Sequence, residues 1–272
     1  MAISTASSHT SSTGAAFDFR ERVREIRQML PWDVRTVIGT FHPCPRVNTA
    51  TRTIHIPFWM LLKSADIPRE FRITGTADPR FFNPDFLTEF ANWYATVDHS
   101  APEVFSYHSL QWVLLVSRDS EQYEKSKRFA LKHEVAHLVY AEQQGPNKLK
   151  LHAGWDCVEG QVKRLFGNRF PPRKYQIKQE RWCDLHAAQA LGEEAGGIYF
   201  FSSLRDLEIA GKRHLFGNDP REYAIRCDIN GDYRPEFKTA RQSHPTNAVR
   251  IDDLMRAQFE RAHAGNLEFG FK

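Results

Sequence analysis

Residues 128–146 read RFALKHEVAHLVYAEQQGP, and this stretch constrains the fold more than any other. Its own signals predict a helix. Asp119 stands where it can cap the element, with Gln122 three residues on in capping-box spacing, and Gly145-Pro146 ends it. Phe129, Ala130, Val135, Ala136, Leu138, Val139 and Tyr140 make the helix largely apolar. Yet it also carries His133, Glu134 and His137. Two imidazoles and a carboxylate in a buried helix are costly to desolvate unless something partners them. The chain therefore has to fold so that a partner reaches one face of this helix.

Residues four apart share a helix face, so His133 and His137 can hold one metal ion between them. Zinc accepts imidazole nitrogen at ~2.0–2.1 Å, and a catalytic zinc keeps three protein ligands and a water. Glu134 points to the side of the pair, where it can reach that water and take its proton. The bland alternative is two histidines on a solvated helix, in a chain that has 12. A third ligand must come from elsewhere, and QERWCDLHAAQAL (179–191) offers one. Glu180 and Asp184 are again four apart. Glu180 would complete the ligand set, and Asp184 would accept the other ring N–H of a metal-bound histidine, fixing its tautomer. Cys183, Ala187, Ala188 and Ala190 are small enough to let the two helices approach. His186 is a rival ligand that faces away from Glu180.

The rest of the chain sets the frame. Its 272 residues allow one large domain or two small ones, and 41% hydrophobic content is ample for a core. A net charge of +4 is too weak to argue for nucleic acid. The apolar runs IPFWMLL (56–62) and WVLLV (112–116) fall far short of the ~20 residues that span a bilayer. Cys44, Cys157, Cys183 and Cys227 show no CxxC spacing, which argues against a thiolate metal site and for a reducing compartment. Residues 1–16 are Ser/Thr-rich and lack a secretory h-region. They read as a disordered tail before a single domain over 17–272, which implies a cytoplasmic location or export through the tail.

Helices are expected over 17–30, stopped by Pro31, over 83–97, started by Asn83-Pro84, over 172–197, ended by its glycines, and over 246–265. TRTIHIPFWMLL (51–62) opens with the alternation of a strand, which Pro57 bends or ends. That favours an edge position. Residues 107–117 suit a strand or a short helix equally. Residues 147–171 form an elaborated connection.

With HExxH on one helix and E-x-x-x-D on the next, the chain resembles the gluzincin metallopeptidases. The likeness is closer to the branch of the CAAX prenyl proteases, HtpX-type proteases and minigluzincins. That branch carries E-x-x-A-D-x-x-A, which here is Glu180 to Ala187 with Cys183 in the place of the first alanine. It also carries S/T-H-P-x-x-x-x-R-I-x-x-L, matched here from Ser243, His244 and Pro245 through Arg250 and Ile251 to Leu254. The resemblance covers residues 125–255. It departs in having no transmembrane helices and a long segment over 63–118.

The resemblance implies an α+β, zincin-like domain, mostly helical, with a small mixed sheet whose edge strand binds substrate. It implies a zinc endopeptidase with Zn2+ on His133, His137 and Glu180, and Glu134 as general base. His244 would be the donor to the oxyanion, and Asp184 and Arg250 would lie around the ligands; Arg250 could hold Asp184, Glu180 or a substrate carbonyl, with Asp184 favoured because a planar fork matches a carboxylate. The partner would be a peptide or protein substrate lying as an extended strand beside residues 51–57, with no nucleic acid and no membrane span. Three alternatives stay open: a narrow-specificity effector, toxin or phage-exclusion peptidase acting on one host protein; a catalytically silent, zinc-stabilised binding module; and a latent enzyme in which 147–171 is an inhibitory lid.

Overall fold

The computed structural model describes residues 18–39, 44–97, 106–143, 174–237 and 244–267. Helix α1, Phe19–Gln28, starts at Asp18, whose Oδ1 accepts the backbone N–H of Arg20 and Glu21 at 2.9 and 3.2 Å. Three short strands follow: β1 (Arg35–Ile38), β2 (Arg46–Asn48) and β3 (Thr53–Ile56). They form one mixed sheet in the order β1-β3-β2, with β1 parallel and β2 antiparallel to β3.

The strand expected at an edge, β3, is therefore the central one. Pro57 lies just past its last paired residue, Ile56, so the missing N–H costs no ladder bond and does not exclude β3 from the centre. Among the described residues the edges are β1 and β2. Ile54 and Ile56 face the core and are fully covered. Arg52, at φ 50 in the turn between β2 and β3, reaches Asp33 at 2.8 Å and also bonds Glu142, tying the hairpin to a helix that follows.

After β3 the chain takes short 3-10 turns, the first being Phe58–Leu61, whose side chains are all buried. Helix α2, Pro84–Val97, starts where Asn83 Oδ1 accepts the N–H groups of Asp85 and Phe86. The ambiguous 107–117 stretch is helix α3, Tyr107–Val116, capped by Ser106 and buried from Leu110 to Val116. A helix sunk in the core is apolar all round, so periodicity gives no sign of it.

Helix α4, Ser120–Gln143, carries the HExxH motif. Asp119 caps it, its Oδ1 accepting Gln122 N–H at 3.0 Å. Tyr123 donates to the Trp59 carbonyl at 2.6 Å, fixing the helix on the first 3-10 turn. Gly145-Pro146, the connection 147–171 and the tail 1–16 lie outside the described residues.

The helix expected over 172–197 is two helices. Helix α5, Lys174–Leu191, stops at Gly192, which has φ +66. Helix α6, Glu194–Leu215, begins at once. Gly196 and Gly197 are not a stop; they seat α6 against α4. A Cβ on Gly196 would come within 2.6 Å of the Lys125 carbonyl oxygen, and one on Gly197 within 2.6 Å of Phe129. The chain ends with α7 (Pro220–Arg226) and α8 (Asn247–Leu267). Helix α4 packs on both α5 and α6, and α8 packs on both α5 and α6. The described cysteines, Cys44, Cys183 and Cys227, are free. Among the described residues no helix is long and apolar enough to cross a membrane.

Candidate metal centre

His133 and His137 stand on one face of α4, as their spacing requires, and α5 brings Glu180 to them. His133 Nε2 lies 3.0 Å from His137 Nε2. Glu180 Oε2 lies 3.3 Å from His133 Nε2, and Glu180 Oε1 lies 3.5 Å from His137 Nε2. The three donors fall within 4.8 Å of one another and can hold a metal ion. Cys183, Ala187 and Ala188 are fully covered where α5 meets its neighbours, which is why α5 comes so close. Ala190, expected at that contact, is exposed instead.

Around the three donors lies a ring of supports. Asp184, 1% exposed, sets Oδ1 2.9 Å from His133 Nδ1, a charge contact that does not meet hydrogen-bond geometry. Arg250, in α8, grips Asp184 with both arms of its fork: Nε to Oδ2 and Nη2 to Oδ1, each at 2.6 Å. The same Nη2 lies 3.6 Å from Glu180 Oε2, and the guanidinium sits 3.9 Å above the Phe201 ring. A planar fork is suited to such a carboxylate, and a flat cation to such a ring face. His244, just before α8, sets Nε2 3.6 Å from Glu180 Oε1, with its side chain 58% exposed. It stands at the mouth of the site. His186 stacks on Trp182 at 4.6 Å, away from the donors.

Two supports are not legible in the sequence. Gln179 places its amide 3.1 Å from His137 Nδ1. An amide presents either end; with its oxygen toward the ring it accepts the Nδ1 proton and leaves Nε2 bare for a cation. Phe201 lies in α6, a helix that the sequence does not separate from α5. Neither residue carries a local signal, because each matters only through tertiary packing.

The charges are strongly coupled. Burial pushes His133 toward the neutral form, but Asp184 and Glu180 outweigh it and raise its pKa. Burial and the charge of His133 lower His137 to about 4. Burial raises Glu180 and Asp184, yet His133 pulls the first well below the usual carboxylate range, and Arg250 with His133 lowers the second. Glu134 is different. It is 9% exposed, and the Arg250 fork goes to Asp184 instead. Burial and Glu180 push it up to about 7, against His133 and the Val47 backbone amide of β2. A carboxyl balanced near neutrality can both take and return a proton.

Compared with known families, curated proteins and solved structures, the chain has no match.

Proposed function

We propose that this chain is a zinc-dependent endopeptidase with a zincin-like fold. The donor set favours zinc. Two imidazole nitrogens and a carboxylate are a set that zinc accepts; the two Nε2 atoms lie 3.0 Å apart, and Glu180 faces them both, Oε2 toward His133 and Oε1 toward His137. The observation that carries the reading is Glu134: a buried carboxyl beside the triad, outside it, and raised to about 7. A purely structural metal site has no use for such a group.

Zinc held there would supply Lewis acidity, polarising a carbonyl and lowering the pKa of water to ~7. The protein's own groups do the rest. Glu134 takes the proton of the attacking water on its carboxylate and passes it to the leaving amine. His244, at the mouth, donates its ring N–H to the developing oxyanion. Gln179 bonds the His137 ring at Nδ1, Asp184 lies against the Nδ1 side of His133, and Arg250 holds Asp184. Strand β2 replaces residues 51–57 as the substrate edge. It is an outer strand, it packs beside α4, and its Val47 amide acts on Glu134. An extended peptide adds there by main-chain hydrogen bonds.

The test compares new protein N-termini in cells expressing wild type and Glu134→Ala. Termini present only with wild type, with scissile bonds of one class, are the expected result. Identical sets of termini would remove the peptidase reading.

A further inference from the structure

Helices α5 and α8 meet with the same charge pattern. Helix α5 carries Arg181 and Asp184, and α8 carries Arg250 and Asp253. The helices run antiparallel, so each arginine meets the other helix's aspartate. Arg250 forks Asp184 inside the site. Arg181 forks Asp253 further out, Nε to Oδ2 at 2.6 Å and Nη2 to Oδ1 at 2.7 Å. In this outer pair the Arg181 side chain is 46% exposed and Asp253 is buried. The two residues of the pair fork to each other and not to the donors, although Arg181 follows Glu180 in the chain, and the reaction gives the pair no part.

Its meaning lies in the order of the charges. Slide α8 by one turn in one direction and Arg181 faces Arg250. Slide it in the other and Arg181 faces Arg256 while Asp184 faces Asp253. Either slip replaces attraction with repulsion between like charges, and leaves a buried aspartate without its partner, which is costly. One turn is ~5.4 Å along the axis. His244 stands at the head of α8, 3.6 Å from Glu180, and a displacement of that size carries it out of reach.

We propose that Arg181 and Asp253 are positioning residues. Together with the inner fork they allow α8 a single register on α5, and so set where His244 stands over the metal donors. The proposal rests on the metal site; only its activity measurement rests on the peptidase reading.

The experiment uses the full chain loaded with Co2+, whose paramagnetism shifts the ring proton resonances of a nearby histidine. Two variants are compared with wild type: Asp253→Asn, and the exchange Arg181→Asp with Asp253→Arg. In the first, the His244 shift should shrink and kcat fall about 10- to 100-fold, as for a misplaced catalytic group, with KM and cobalt content unchanged. In the exchange every native pair is again opposite in sign, so thermal stability returns. But α5 is then all acidic and α8 all basic at these positions, and a slipped register is no longer repulsive. The His244 shift and kcat should therefore stay low. If the exchange restores them along with stability, charge order does not set the register and the proposal is wrong. It is equally wrong if Asp253→Asn loses stability alone. If wild type cleaves no peptide, the His244 shift still decides. A chain that takes up no cobalt overturns this proposal and the metal site together.

Discussion

Glu134 and His137 sit three residues apart in α4, and the proposed function gives them separate tasks. Glu134→Gln should abolish peptide cleavage and keep about one equivalent of zinc, whereas His137→Ala should lose the metal; elemental analysis of both purified variants separates the roles. Equal metal loss in the two would make Glu134 a ligand. His133 adds a pH dependence. Burial opposes its charge, but Asp184 and Glu180 raise its pKa in the cation-free protein. Below that raised value a proton competes with the metal for the ring, so zinc affinity should rise with pH through neutrality. The slope should be up to about tenfold per pH unit for one released proton. A competition titration at several pH values measures it, and a flat profile would mean that His133 binds without giving up a proton. His244→Ala should lower kcat by ~10²–10³ with zinc content and KM little changed, as when one oxyanion donor is removed. A near wild-type kcat would take His244 out of the mechanism.

Elements are legible where a signal is local, and misleading where packing decides. The i,i+4 pairs on α4 and α5 fix two faces whatever surrounds them, which is why His133, His137 and Glu180 can be placed from sequence and stand together in the structure. Asp119 and Asn83 mark helix starts for the same reason. Strand β3 is misplaced by its sequence because Pro57 looks like part of the strand, when it stands one residue beyond the paired segment. Gly196-Gly197 resembles a stop because a glycine pair ends helices as readily as it seats them, and only the nearness of α4 tells the two apart. That seat makes a prediction. A methyl group at Gly197 would meet Phe129 at 2.6 Å and Leu254 at 2.7 Å, so Gly197→Ala should cost ~1–3 kcal/mol by overpacking. A thermal melt should show Tm lowered by several degrees, and an unchanged Tm would mean that α6 is free to move away.

Across the whole molecule, the metal site is where α4, α5 and α8 converge, so a bound cation fastens elements distant in sequence. A ligand that binds only the folded state stabilises it by ~2.7 kcal/mol at a hundredfold excess over Kd. Removing zinc with a chelator should lower Tm, and adding it back should restore the original value; a Tm indifferent to the metal would place the donors in a preformed site that owes nothing to it. The two forks between α5 and α8 carry a consequence for heredity. Asp184 is tied to His133, and Arg250 to Asp184, so neither can change sign without disturbing the site. The freedom left to drift lies at 181 and 253, and there it is shared: a lineage that loses the arginine leaves a buried aspartate stranded until that residue changes too. Descendants of this chain should therefore alter the two positions together or not at all, and such paired change would betray kinship even after the rest of the sequence had diverged.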